Sequence, residues 1–261
     1  MAVPHGNRER AVKLRRGLTL PILLLVLWEV SSHAGFVDPR FLPSLKDVFL
    51  TAKRELIDNN LVGELGFSLF RNIAGFLAGS GLGVAFATLL ALSRTADRLI
   101  LPSFNALKQI SLLAWIPLIS IWFGFGEKAK IVFVALAAFI PVVLNTYEGM
   151  CNTPRDLIEV GEALKFTRAQ RIVRILLPSA LPSIATGVHL GLIYAWLATV
   201  GAEYFLAVGP GIGGLIIAGR ERFDMALVMV GVIILGLVGF ILNRLAGKVE
   251  AHLLRWRVSN H

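Results

Sequence analysis

From Asn72 to Ser93 the chain runs for 22 residues without a formal charge. As a helix, that run is long enough to cross the roughly 30 Å hydrocarbon core of a bilayer. A helix apolar all round has to be buried in protein or in lipid. Five further apolar runs accompany it, Leu18–Phe36, Ile110–Phe125, Ile131–Tyr147, Ser183–Ala202 and Met225–Asn243, of which only the first holds a charge, at Glu29. Lipid offers no hydrogen-bond partners, so each run must satisfy its own backbone as a helix. The fold class predicted is all-α integral membrane with six transmembrane helices. With 56% hydrophobic and only 16% charged residues, the composition excludes an ordinary soluble domain.

Charge sets the orientation. The formal net charge of +9 does not point to nucleic acid, because the basic residues sit at the ends of the apolar runs. Arg8, Arg10, Lys13, Arg15 and Arg16 precede the first run, which ends without a small-x-small cleavage site. This predicts an uncleaved first helix with a cytoplasmic N-terminus. With both termini inside, 17 of the 26 Lys and Arg residues fall on the inner side and nine on the outer. That is the bias membrane topology requires. The predicted organisation is a cytoplasmic tail at 1–17, a membrane domain at 18–245 and a second cytoplasmic tail at 246–261. Within the membrane domain, residues 37–71 form an extracytoplasmic segment, with a short amphipathic helix near 46–58. Residues 148–182 form a cytoplasmic loop.

Two stripes of small residues are set for helix packing. Gly75, Gly79, Gly83, Ala87 and Ala91 recur every four residues in the second span, and Gly187, Gly191, Ala195 and Thr199 in the fifth. Small side chains let helices approach closely where lipid supplies no hydrophobic drive. The partner is either a second subunit or another helix of the same chain. Pro117 lies inside the third span beside Trp115, where a freed carbonyl either lines a pathway or marks a packing kink. Together with Trp196, Glu203 and Gly211, these two residues are the candidates for pathway or outer gate.

Conventional chemistry is absent. The turn Gly209–Gly214 lacks the lysine and Ser/Thr of a phosphate-binding loop. Cys151 is the only cysteine and the five histidines are scattered. No metal, cofactor or catalytic residue is therefore expected. Glu29, Lys108, His189 and Glu203 could serve an ion relay, which makes a stand-alone secondary transporter driven by an ion gradient the alternative reading. Carriers of that kind commonly show two related halves, and no internal repeat is visible here.

The segment Glu159–Pro182, EVGEALKFTRAQRIVRILLPSALP, carries four basic and two acidic residues between two apolar spans. Val160, Ala163, Leu164, Ile172, Ile175 and Leu176 recur at helical spacing, as in an amphipathic helix suited to a soluble partner. Pro178 and Pro182 are expected to close that helix and restart the chain.

This segment resembles the EAA loop of ABC-importer permeases, whose pattern is E-A-A, three residues, glycine, nine residues, then I-x-L-P. Glu159, Ile175, Leu177 and Pro178 stand in matching places. Val160 and Gly161 occupy the two alanines, and Lys165 stands at the glycine. The similarity to sulfonate, taurine and nitrate importer permeases continues through PLISIWFGFGEKAKI (117–131), IPVVLNTYEG (140–149), LPSALPSIATGVHLGL (177–192) and AEYFLAVGPGIG (202–213). The resemblance implies a type I ABC-importer permease fold and a pathway for a small anionic solute. It also implies a second permease copy, two cytoplasmic ATP-binding subunits that hydrolyse the ATP, and an extracytoplasmic solute-binding protein. The setting it implies is the lipid of a bacterial inner membrane. Glu159, Gly161, Glu162, Lys165, Arg168, Ile175, Leu177 and Pro178 would form the coupling surface. Glu159 would meet the ATPase, Ile175 and Leu177 would pack the loop on the membrane domain, and Pro178 would set the angle to the fifth span. At Lys165, where the family's glycine allows a turn, lysine predicts right-handed helix continuing through, or a turn displaced by a residue or two.

Overall fold

The computed structural model describes residues 5–34, 38, 41–206 and 209–255. Side chains are described from Thr19 onward. The predicted features at Phe36, Pro39 and Arg257, and the side chains of Arg8 to Arg16, lie outside the described residues. In chain order the helices are α1 (His5–His33), α2 (Leu45–Asp58), α3 (Leu61–Leu92), α4 (Arg94–Leu107), α5 (Ile116–Phe123) and α6 (Glu127–Cys151). These are followed by α7 (Arg155–Ala163), α8 (Arg168–Arg171), α9 (Leu177–Phe205), α10 (Ile212–Glu221) and α11 (Met225–Leu253). The described residues contain no strand.

Four helical stretches are long and apolar enough to cross a membrane: Leu61–Leu92, Glu127–Cys151, Arg168–Phe205 and Met225–Leu253. The expected third span, Ile110–Phe125, is not one helix. A single turn at Leu112–Trp115 precedes α5, and the pair Arg94–Leu107 and Leu112–Phe123 bends by 98°. Pro117 accordingly lies in the first turn of α5 rather than inside a span. There its missing N–H needs no partner, so it frees no carbonyl. In the first expected span the described apolar stretch is Thr19–His33.

The chain divides into two compact units, residues 1–61 with 215–232, and residues 62–214 with 233–261. In the first unit the expected short amphipathic helix is α2. Ser44 caps it, its side chain accepting from the Asp47 N–H at 3.2 Å. The C-terminal end of α1 is stitched to the start of α2. Trp28 donates to the Pro43 carbonyl at 2.9 Å, Ser32 to the Leu42 carbonyl at 3.0 Å, and Glu29 accepts from the Leu45 N–H at 2.9 Å.

The second unit is built around α6, where Val134, Ala138 and Val142 are fully buried. Both glycine stripes face this helix. A Cβ on Gly75 would lie 2.6 Å from Val134, and one on Gly83 would lie 2.9 Å from Val142. On Gly79 it would fall on the carbonyl oxygen of Ala135, inside van der Waals contact. From α9, a Cβ on Gly187 would meet Asn145 at 2.7 Å, and one on Gly191 would meet Val142 at 3.0 Å. The stripes thus pack helices of the same chain.

The helix expected to stop at Pro178 does not stop. A single π turn, Ile172–Leu176, joins α8 to α9, and the Leu177 N–H bonds to the Ile172 carbonyl five residues back. The widened turn absorbs one extra residue, so proline at 178 enters the next turn without a lost bond or a ring clash. Arg168–Phe205 is one helical stretch of 38 residues.

Candidate functional site

Two places gather polar residues that a bare membrane scaffold does not require. The first is the loop of α7 and α8. Gly161 is buried because the Ile175 side chain lies directly on it, leaving no room for a Cβ unless that side chain moves. Ile175 is itself 8% exposed, so α7 rests on the π turn through this contact. Thr167 opens α8 with a reciprocal capping box, its hydroxyl accepting from the Gln170 N–H at 3.3 Å while its own N–H donates to Gln170 Oε1 at 2.9 Å. Arg171 lies 3.4 Å from Glu162, and the Arg174 guanidinium sits 5.5 Å from the Phe166 ring centre.

Lys165 corrects the sequence expectation. Its φ is +52°, so right-handed helix does not run through it and the turn is not displaced. Its N–H bonds to the Glu162 carbonyl at 2.9 Å, and the Phe166 N–H reaches back to the Gly161 carbonyl at 2.9 Å. These two bonds close a helix end of the Schellman type, with Lys165 at its left-handed residue. The lysine therefore does glycine's conformational work against its own Cβ, at a cost of about 1 kcal/mol. Lys165→Gly is expected to raise the melting temperature of the purified protein, by up to about 1 kcal/mol of added stability. Lys165→Val should lower it.

What α7 presents outward is a mixed face. Leu157, Val160 and Leu164 are 45%, 55% and 61% exposed, in line at helical spacing. Glu159 and Lys165 beside them are exposed, and neither makes a side-chain hydrogen bond or ion pair among the described residues. Arg168 and Pro178 are exposed and Leu177 is half-buried. An apolar stripe edged by unengaged charges is a surface that a second protein can cover.

The second place is a charge cluster at the other end of the helices, which the sequence reading missed apart from Glu203 and Gly211. Arg71 of α3 is fully buried. Its Nη1 donates to Glu203 Oε1 at 2.6 Å, and its Nε and Nη2 grip Glu127 as a fork at 2.5 and 2.6 Å. Lys130, 1% exposed, lies 3.9 Å from Glu127. Ser68 donates to Glu203 at 2.7 Å. Three consecutive N–H groups of the 209–214 turn donate into the cluster: Gly211 to Glu64, Ile212 to Ser68 at 3.0 Å, and Gly213 to Glu203 at 2.8 Å. Gly211, at φ +147°, has no space for a side chain, since a Cβ would sit 2.6 Å from both Arg71 and Glu203. The cluster therefore fastens the turn to α3, α6 and α9. The missed signal was the spacing Glu64, Ser68, Arg71, Asn72, which puts one polar stripe on an otherwise apolar helix.

The five pathway candidates do not converge. Glu203 and Gly211 meet in this cluster. Trp196 is 5% exposed, and its indole N–H donates to the Leu235 carbonyl of α11 at 3.1 Å. Trp115 packs on the apolar cluster around Phe133 and Ala137, and Pro117 begins α5. Nor do the four residues of the ion-relay alternative share one network: Glu29 holds α2, Lys108 ends α4, Glu203 binds Arg71, and His189 binds Glu250.

The sequence profile described as "Binding-protein-dependent transport system inner membrane component" matches residues 79–255. A putative aliphatic sulfonates transport permease, SsuC of Bacillus subtilis (strain 168), is 36% identical over 244 residues, covering 94% of this chain and 88% of the relative. The taurine transport system permease TauC of Escherichia coli (strain K12) is 30% identical over 253 residues, covering 95% of this chain and 91% of the relative. Inward-facing structures of the MetNI methionine ABC transporter include a chain that superposes at a TM-score of 0.57 and 22% identity, covering 72% of this chain and 95% of that one. At that identity the likeness speaks for the fold alone.

Proposed function

The chain belongs to the family of binding-protein-dependent transport system inner membrane components, and on that premise we propose how its two polar places serve transport. It is an all-helical, multi-pass permease subunit of an ABC importer in the inner membrane. Such permeases work with ATP-binding subunits and a substrate-binding protein. Our reading places the membrane domain at 18–245, between cytoplasmic tails at 1–17 and 246–261. Two copies of this chain, embedded in lipid, enclose the pathway, and two ATP-binding subunits dock on the 148–182 loop. The solute is a small anion of the aliphatic sulfonate, taurine or nitrate class. Its support is the similarity to SsuC and TauC across nearly the whole chain, and uptake of labelled taurine or an alkanesulfonate by the reconstituted complex tests it.

The observation that carries the coupling role is the free, exposed Glu159 beside the apolar stripe Leu157, Val160 and Leu164 on a loop rooted in α9. Glu162, Lys165 and Arg168 complete its polar rim. Gly161 and Ile175 hold α7 on the π turn, and Leu177 and Pro178 continue the helix into the membrane. ATP-driven closure of the partners then reaches α9 through continuous helix, and a rigid-body shift alternates access. Glu159→Ala should cut uptake per ATP hydrolysed about tenfold, the worth of one good interface contact. Unchanged assembly and unchanged uptake would sink the coupling role.

Orientation has its own test. In a Cys151→Ser background, Lys128→Cys should react with an impermeant maleimide from outside, and Arg168→Cys only from inside. Both positions are exposed. The reverse pattern would move the loop to the wrong side for any ATPase.

A further inference from the structure

In their inner halves α9 and α11 are joined by one polar cluster inside an apolar groove. His189 Nδ1 lies 2.6 Å from Glu250 Oε2, and His189 Nε2 lies 2.8 Å from Asn243 Oδ1. Thr186 donates to the other Glu250 oxygen at 2.9 Å. Both carboxylate oxygens of α11 are thus held by α9. The ring lies against Gly247, where a Cβ would stand in ordinary contact with Cε1 at 3.8 Å.

The surrounding groove, about 360 Å³, is walled by Leu181, Ile184, Val188, Leu245 and Val249. Among the described residues, His189 and Glu250 are the only titratable side chains lining it, and α3 contributes Phe76. The other basic groups of α11 are turned to different tasks. Arg244 stacks on Phe240 and Lys248 is exposed, and Arg255, just past the end of α11, bonds back to His252.

A carboxylate and an amide oxygen can only accept hydrogen bonds. An imidazole with such an oxygen at each nitrogen must donate from both, which only the imidazolium can do. A neutral ring still donates to Glu250, and the Asn243 amide can turn to donate to the bare nitrogen, but the ion pair with Glu250 at 2.6 Å is lost. We propose that His189 is a positioning residue, whose imidazolium fastens α11 to α9 so that both helices move together when the coupling loop is driven. The fastening loosens as pH rises and the ring gives up its second proton. This rests on the reading that force enters through the α7–α8 loop.

The test uses the whole complex in lipid nanodiscs, with nitroxide labels at Leu190 on α9 and Lys248 on α11 in a Cys151→Ser background. Pulsed EPR should give a narrow distance distribution near pH 5 that broadens by about pH 9, a range that brackets the titration of an imidazole. His189→Gln should be broad at both ends. His189→Arg, a permanent cation with several donors, should stay narrow throughout. A wild-type distribution that ignores pH, or a pH response that survives in His189→Gln, overturns the proposal.

In the same samples, stimulation of ATPase activity by the binding protein should fall with pH in wild type and stay level in His189→Arg. Loss of narrow distances without loss of stimulation would also overturn the positioning role. Absence of stimulation in wild type at every pH would instead refute the coupling reading, while the distance data still decide the tie between the helices.

Discussion

Arg71→Met is expected to destabilise the protein by about 3 to 5 kcal/mol, because it strands Glu203 as a buried charge with its main partner gone. The side chains of Arg71 and Glu203 are 0% and 2% exposed, so water cannot take the lost partner's place. The measurement is thermal unfolding in detergent micelles, followed by tryptophan emission. Adding Glu203→Met should recover part of the loss, since it removes the stranded charge but leaves the Ser68 hydroxyl and the Gly213 N–H without their acceptor. An Arg71→Met protein that melts with wild type would show that the cluster is bathed in solvent and fastens nothing.

The second large effect lies in the contact of α3 with α6. Gly79→Leu should prevent stable folding, and Gly79→Ala alone should cost at least the 1 to 3 kcal/mol typical of an overpacked core. The obstacle at this position is the Ala135 carbonyl oxygen, which is backbone and cannot rotate aside. At Gly83 the nearest atom belongs to the Val142 side chain, and Ala should be tolerated better there. Comparing the yields and melting curves of the two alanine variants checks the argument. Equal behaviour would mean that the helices slide apart without penalty.

The positions of the long helices could be read from apolar runs, but their ends could not. The second run was placed from Asn72, yet α3 begins at Leu61. A charge does not mark the edge of this helix: Arg71 sits within it paired with Glu127 and Glu203, and Glu64 accepts from the Gly211 N–H. Glu127 and Lys130 extend α6 beyond its predicted start at Ile131 in the same way. Proline misled for a related reason. Its cost depends on the hydrogen-bond register it meets, and neither the π turn before Pro178 nor the break before Pro117 leaves a mark in composition. Lys165 shows the opposite case. The family pattern placed a turn there, the residue argued against it, and the two bonds that close α7 prevailed over the strain of one side chain. The glycine stripes were legible as packing surfaces, but their shared partner, α6, emerged only from the three-dimensional arrangement.

The unbroken stretch from Arg168 to Phe205 sets a mechanical scale. At 1.5 Å per residue, the 35 steps from Arg168 to Glu203 make an arm of about 50 Å. If the outer end is pinned at Arg71, a tilt of about 5° sweeps the inner end through roughly 4 to 5 Å, while the residues beside the pin hardly travel. The ratio of those two displacements is fixed by where the arm is held. Shifting the pin inward by one helical turn shortens the stroke by about a tenth, so on the proposed coupling role the buried arginine would set the gearing of the machine as well as its stability.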